Sequence, residues 1–246
     1  MNRHLALRSG NPALKTSTFK KHLVASTEGS MSISGTVNKT GFSLLLVIMA
    51  ASITWNNPAQ SGLIIFGFIV GIIAAIITII KPKMGYMSVP IYALSQGLVL
   101  GAISRMFELQ YPGIAVQAIF LTFGTLGALL LAYKSGLIKV TENFKLGVVA
   151  ATGGVAIVYL INFIMGIFGS GIGLIHSSSN FGILFSLVVV GIAALNLVLD
   201  FDFIEEGAEM GAPKYMEWYG AFGLLVTLIW LYLELLRLLA KLQDRR

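Results

Sequence analysis

Long, continuously apolar runs constrain this chain more than any other feature of its sequence. Residues 63–70 contain no polar or charged side chain, and comparable runs recur as far as residue 239. A bilayer hydrocarbon core about 30 Å thick needs about 20 apolar residues per helix. A transmembrane barrel would instead show segments of about ten residues in which apolar and polar side chains alternate. The continuous runs therefore predict an all-α, polytopic membrane protein.

The composition supports this prediction, and the runs indicate seven transmembrane helices. The 246 residues are 56% hydrophobic and 11% charged, with a mean hydropathy of +0.84, which is too apolar for a soluble domain. The predicted spans cover residues 40–55, 61–80, 89–106, 113–133, 146–168, 181–200 and 220–239. The first span is short, and a turn signal at Asn56-Asn57-Pro58 follows it. We predict a seven-helix transmembrane domain over residues 39–246.

The N-terminal residues 1–38 lack hydrophobic periodicity and are predicted to form a basic, mostly disordered tail. Its charge either attracts anionic lipid head groups or serves as a topology signal with no further role. Because cytoplasmic segments are enriched in Lys and Arg, this charge predicts a plasma-membrane protein with a cytoplasmic N-terminus. Seven spans would put the basic residues 241–246 outside, against the same rule. Either the earlier spans overrule this basic end, or the last apolar segment enters the membrane and returns without crossing.

The sequence argues against several kinds of chemistry. The chain has no cysteine, which excludes disulfides and thiolate catalysis. Its three histidines, His4, His22 and His176, lie far apart and outside the predicted spans, so they suggest neither a metal site nor a base at membrane depth. We therefore expect no enzymatic activity, no cofactor, no metal site and no nucleic acid partner.

Acidic side chains gather at the end of the sixth predicted span. Asp200 ends an apolar run, and ionisable groups at membrane depth are costly and usually functional. Asn196 lies one turn earlier on the same helix face. Four acids follow at helical spacing: Asp202, Glu205, Glu206 and Glu209. Because hard cations such as calcium prefer oxygen ligands, this stripe is a candidate cation attractor; the alternative is a solvated helix end that balances nearby lysines.

Candidate partners for these acids are also visible in the sequence. Asp200 is expected to pair with Lys81 or Lys83, or to stay unpaired. Glu234 and Arg237 lie three residues apart in the last span, so they can form a structural salt bridge. A role for Glu234 in an ion path stays open beside that interpretation.

Two glycine pairs at four-residue spacing indicate close helix packing. Gly67 with Gly71 and Gly97 with Gly101 each match the small-xxx-small pattern that lets helix backbones approach each other. Such matches arise easily in a chain with 27 glycines. We interpret them as contacts within the molecule rather than as a dimerisation signal.

Taken together, these segments resemble the Bax inhibitor-1 family, including its bacterial YccA-like members. The resemblance rests on residues 96–104 (QGLVLGAIS), 199–204 (LDFDFI) and 235–239 (LLRLL), in their order and spacing, and it covers roughly residues 38–240. It implies seven membrane helices and a pH-sensitive calcium leak. In that family, a pair of aspartates near the end of the sixth helix and in the seventh controls the leak together with a basic latch.

The resemblance carries over to individual residues. Asp200 matches the first aspartate, and Lys81 or Lys83 would be the latch. The position expected for the second aspartate, ten residues before Arg237, holds Thr227. Glu234 follows seven residues later, nearly on the same helix face but about 10 Å along the axis.

The resulting expectation is a cation leak, with calcium as the ion, that is gated by Asp200 and favoured by deprotonation. Asp202, Asn196 and Glu234 complete the candidate ion path, and Arg237 is a further candidate for the latch. The alternative is a non-conducting membrane regulator that binds partner proteins such as a membrane protease.

Overall fold

The computed structural model describes residues 29–56, 61–169 and 172–245. Its seven long helices are α1 (Ile33–Asn56), α2 (Ser61–Ile80), α3 (Gly85–Gln110), α4 (Ile114–Lys134), α5 (Glu142–Ile167), α6 (Asn180–Glu209) and α7 (Met216–Gln243). All seven are long and apolar enough to cross a membrane. The prediction of an all-α, polytopic membrane protein is therefore confirmed.

The first helix begins earlier than predicted. It starts at Ile33, so residues 33–38 of the expected tail are helical. The segment just before it is held against the loop between α6 and α7, because the Met31 N–H donates to the Ala212 carbonyl oxygen at 2.6 Å. Residues 1–28, which make up most of the predicted tail, lie outside the described residues.

Helix α7 is the centre of the bundle, and α5 is its least packed member. In the most apolar 18-residue stretch of each helix, 61% of the residues are buried in α7 but only 11% in α5. Helices α1, α3, α4 and α6 surround α7, whereas α5 packs mainly on α6. The exposed faces of the helices carry Ile, Leu, Phe and Val, as expected for contact with lipid.

The glycine pairs lie where helices α1, α2 and α3 meet. A Cβ atom added to Gly97 or Gly101 would overlap backbone carbonyl oxygens of α1, and one added to Gly67 would overlap the Ser95 carbonyl oxygen at 2.7 Å. One added to Gly71 would lie 2.8 Å from the Gln96 amide nitrogen. The interpretation of these motifs as packing within the molecule is confirmed.

The helices alternate in direction, so each end of the bundle can be defined by α1. We call the side where α1 begins the N-terminal side and the side where it ends the opposite side. Helix α7 is continuous and begins on the N-terminal side. Asp244, directly after α7, accepts hydrogen bonds from Tyr111 and Ser178, which lie in loops on the opposite side. The last apolar segment therefore runs the full length of the bundle and does not turn back.

Candidate functional site

Asp200 is the most unusual side chain in the described part of the molecule. It lies on the half of α6 nearer the N-terminal side and is fully buried, with 0% exposure. The Thr227 side chain of α7 lies close enough to interact weakly with it, but neither carboxyl oxygen has a partner at normal hydrogen-bond geometry among the described residues. Because buried polar atoms nearly always have such a partner, this carboxyl group is a candidate for a functional role.

Asn196 adds a third unpartnered oxygen one turn away. Its Nδ2 atom donates to the Thr152 hydroxyl of α5 and to the Ile192 carbonyl oxygen, both at 2.8 Å. Its Oδ1 atom is buried and has no partner among the described residues. As the sequence predicted, Asn196 and Asp200 share one face of α6. Together they present three buried oxygen atoms that are free to bind a proton, a water molecule or a cation.

The ligands available here are mixed rather than a carboxylate cluster. Within the described ranges, no group of three or more His, Cys, Asp or Glu side chains could hold a metal ion. A cation beside Asp200 would draw on the carboxylate, the Asn196 amide oxygen and the Thr227 hydroxyl group. Such a small set of protein ligands suits transient passage of a hard cation better than tight chelation, which needs six to eight oxygens for calcium.

The acids that follow Asp200 do not form an open stripe. Helix α6 continues to Glu209, so they lie on one helix. However, Asp202 forms a salt bridge of 2.5 Å with Lys145 at the start of α5, and Glu205 accepts a hydrogen bond from the Tyr133 hydroxyl. The side chain of Lys145 is only 7% exposed, so this pair closes the N-terminal-side end of the α5 and α6 contact.

Glu234 accepts hydrogen bonds from three neighbouring side chains. Its Oε1 atom accepts from Arg237 at 2.7 Å and from the Trp230 indole N–H at 3.2 Å. The Tyr159 hydroxyl of α5 lies 3.0 Å from both carboxylate oxygens. The predicted salt bridge between Glu234 and Arg237 is confirmed. Glu234 lies toward the opposite side, about 10 Å along α7 from Thr227, so it does not join Asp200 in one site.

The expected latch lysines lie elsewhere. Lys81 and Lys83 are exposed, and the Lys83 ammonium group lies 5.9 Å from the centroid of the Tyr215 ring. The structure brings neither of them into an ion pair with Asp200 within the described ranges. The basic side chain next to the acids of α6 is instead Lys145. No pattern in the sequence indicated this pairing.

A third buried acid besides Asp200 and Glu234, Glu217, was not identified from the sequence. It lies in the first turn of α7, is 2% exposed, and accepts hydrogen bonds from Lys39, from the Ser32 hydroxyl at 2.9 Å and from the Ser32 N–H at 3.0 Å. These contacts fix the start of α1 against α7. Its position between two apolar runs gave no sign of burial.

The opposite side contains a buried lysine that binds only neutral oxygens. The Lys241 ammonium group donates to the Ile175 carbonyl oxygen at 2.6 Å, the Gly182 carbonyl oxygen at 3.0 Å and the Ser186 hydroxyl at 2.7 Å. All three acceptors belong to α6 or to the segment just before it. Lys241 therefore holds the end of α7 against the start of α6 through these three hydrogen bonds.

Helices α5, α6 and α7 thus share a polar interface inside an otherwise apolar bundle. Its members are Lys145, Thr152, Tyr159, Asn196, Asp200, Asp202, Thr227, Glu234 and Arg237. An ion pair lies near each end, and the unpartnered oxygens lie between the two pairs. Because α5 is the least buried helix, it can separate from α6 with the smallest loss of packing.

The chain was compared with protein families, curated proteins and solved structures. A family model described as Bax inhibitor 1 like matches residues 11–244, a range that contains every helix of the bundle. No curated protein and no solved structure matches the chain.

Proposed function

The chain belongs to the Bax inhibitor 1 like family. We propose that it is a pH-sensitive leak for cations, with calcium as the ion. Ions would move down their gradient along the polar interface of α5, α6 and α7, and Asp200 would gate this movement. The protein would act in the plasma membrane with its N-terminus in the cytoplasm, and it would have no enzymatic activity.

The observation that supports this proposal most strongly is the set of three unpartnered oxygens on Asn196 and Asp200. Folded proteins rarely contain a buried carboxyl group without a partner. Burying even a neutral polar group without a hydrogen bond costs roughly 1–3 kcal/mol of folding free energy. A group kept in this state is available to exchange a proton for a cation. The same group placed in a salt bridge, as Asp202 is with Lys145, would not be available.

The proposed gating follows from the surroundings of Asp200. In the arrangement described, no cationic side chain compensates an ionised Asp200 carboxylate, so ionisation has to be accompanied by the arrival of a cation or by water. Loss of the proton would therefore favour separation of α5 from α6, which admits both. A low proton concentration would open the path, and a high one would close it.

The test is calcium flux into proteoliposomes containing the purified protein, at about pH 6 and about pH 8, on either side of neutrality. The wild-type protein is expected to give a flux that rises with pH. Asp200→Asn, which preserves shape but cannot ionise, is expected to remove the pH dependence. Asp244→Asn is the matched control, because it makes the same chemical change at an exposed residue outside the polar interface.

The flux measurements test the gate and conduction separately. A flux that responds to pH identically in the wild-type protein and in Asp200→Asn would exclude Asp200 as the gate. No flux above that of empty liposomes, in protein shown to be folded, would exclude conduction. Replacing calcium by potassium or magnesium in the same assay would identify the ion.

One observation favours the alternative of a non-conducting regulator that binds membrane proteins. Asp202 and Glu234 of the predicted ion path have partners, as does Glu205, so among the four predicted path residues only Asp200 and Asn196 keep oxygens without a partner in the described part of the chain. This alternative predicts that deletion of residues 1–28 abolishes capture of a partner such as a membrane protease. It also predicts that Asp200→Asn leaves that capture unchanged.

A further inference from the structure

A groove with a volume of about 400 Å³ is lined by residues of α1, α3, α4 and α7. Helices α1 and α4 form its walls, and α3 and α7 form its floor. We call it the α1–α4 groove. Its wall residues are exposed at the surface of the bundle, with Ile48 of α1 at 59% and Val116 of α4 at 53%. The groove therefore opens toward lipid, and its volume falls in the usual range for small-molecule sites.

The lining of the α1–α4 groove is apolar, and its few polar groups already have partners. The Ser104 hydroxyl and the Tyr232 phenol bond to each other at 2.6 Å. The hydroxyls of Ser52 and Thr122 each donate to a carbonyl oxygen of their own helix at 2.7 Å. A polar ligand would find no unpartnered group there, whereas a hydrocarbon chain would lose nothing by entering.

A cationic side chain, that of Arg105, lies at the mouth of the groove. Trp55, near the end of α1 on the opposite side, lines the groove, and the Arg105 guanidinium carbon lies 5.5 Å from the centroid of its ring. No carboxylate pairs with Arg105 in the part of the chain that the structure describes. Glu108, one turn along α3, accepts instead from the N–H groups of Gly113 and Ala115.

We propose that the α1–α4 groove binds a membrane phospholipid, with one acyl chain in the groove and the phosphate on Arg105. A tryptophan and an arginine at the end of a membrane span are suited to the head-group region, where the ring is amphipathic and the guanidinium binds phosphate bidentately. Helices α1 and α4 do not pack closely against each other. The bound chain fills the space between them. This proposal is independent of conduction.

Native mass spectrometry of the purified protein tests the proposal. The protein is exchanged into detergent with equal amounts of phosphatidylglycerol and phosphatidylcholine, and the bound lipids are counted. We expect one retained phospholipid, with phosphatidylglycerol preferred. Val116→Phe, which fills the groove, should abolish its retention. Val188→Phe is the matched control, because Val188 is equally exposed, at 52%, on α6 away from the groove.

The contribution of Arg105 is tested separately. Arg105→Gln should weaken retention of phosphatidylglycerol about tenfold, as expected for the loss of a charge-assisted hydrogen bond. Arg245→Gln, which removes an exposed charge beyond α7, should leave it unchanged. Equal retention in Val116→Phe and Val188→Phe would overturn the groove as the site. Equal retention of both lipids, unaffected by Arg105→Gln, would overturn the phosphate contact and with it the proposal.

Discussion

Replacing Asp200 and Asp202 by valine is expected to change the stability of the protein in opposite directions. The two residues lie two positions apart on α6, so the substitutions have the same helix propensity and nearly the same depth in the membrane. They differ in their partners. Asp200 has two unpartnered carboxyl oxygens, whereas Asp202 is paired with a lysine whose side chain is 7% exposed.

The structure sets the size of each effect. Asp200→Val removes a buried polar group without a partner, which is worth roughly 1–3 kcal/mol, and valine and aspartate have nearly the same helix propensity. Asp202→Val leaves the Lys145 charge buried and unpaired, at a cost of roughly 3–5 kcal/mol. The lower end of that range applies because the Asp202 side chain is 22% exposed. The expected difference between the two variants is roughly 4–6 kcal/mol.

The assay is the fraction of monodisperse protein that remains after heating in detergent, measured by size-exclusion chromatography. At roughly 2–4 °C per kcal/mol for a chain of this size, Asp200→Val should raise the midpoint by a few degrees and Asp202→Val should lower it by about 10 °C. If both variants lose stability equally, Asp200 has a stabilising partner in the folded protein, and the argument from its unpartnered oxygens fails. Asp200→Val should also lose any pH-dependent calcium flux, so that its stability rises as its function is lost.

Three further predictions concern other parts of the bundle. Gly101→Ala should lower the stability measured in the heating assay by roughly 1–3 kcal/mol, because its Cβ would overlap α1. Gly191→Ala, whose Cβ would have nothing within 4 Å, should leave stability unchanged or raise it. Equal losses of stability in the two variants would contradict this prediction. The hydrogen bond to Asp244 raises the pKa of Tyr111, so in Asp244→Asn one tyrosine should ionise at a lower pH by ultraviolet difference titration, and an unchanged titration would refute the contact. Gln243→Cys should react with an impermeant thiol reagent in intact cells, and labelling only after permeabilisation would reverse the predicted orientation; no native cysteine competes.

The number and positions of the helices could be predicted from the sequence because the length of an apolar run is a local property. The proximity of Asn196 and Asp200 could be predicted for the same reason, since a spacing of four residues places them on one helix face. The salt bridge between Glu234 and Arg237 also follows from spacing within one helix. In each of these cases, a single element determines the geometry.

The contacts between helices could not be predicted in this way. The partner of Asp202 is Lys145, which lies 57 positions earlier in the chain, and only the packing of α5 on α6 brings the two together. Thr152 gave no signal, because a threonine hydroxyl in an apolar helix commonly bonds to its own backbone, as Thr122 does. Tyr159 gave none, because its partner Glu234 lies 75 positions away in the chain. The burial of Glu217 depends on where α1 begins, which the apolar pattern placed several residues too late.

The charged residues in the second half of α7 determine how this helix can enter a membrane during synthesis. On the scale measured for insertion of single segments, a lysine or arginine at the centre of a span costs roughly 2.5–3.5 kcal/mol, which is an upper limit for Arg237 and Lys241 in the last quarter of α7. Arg237 is neutralised by Glu234, and Lys241 is satisfied only by oxygens of α6 and the segment before it. Helix α7, which is synthesised after α6, therefore gains part of its stability in the bilayer from contacts with α6 and the segment before it.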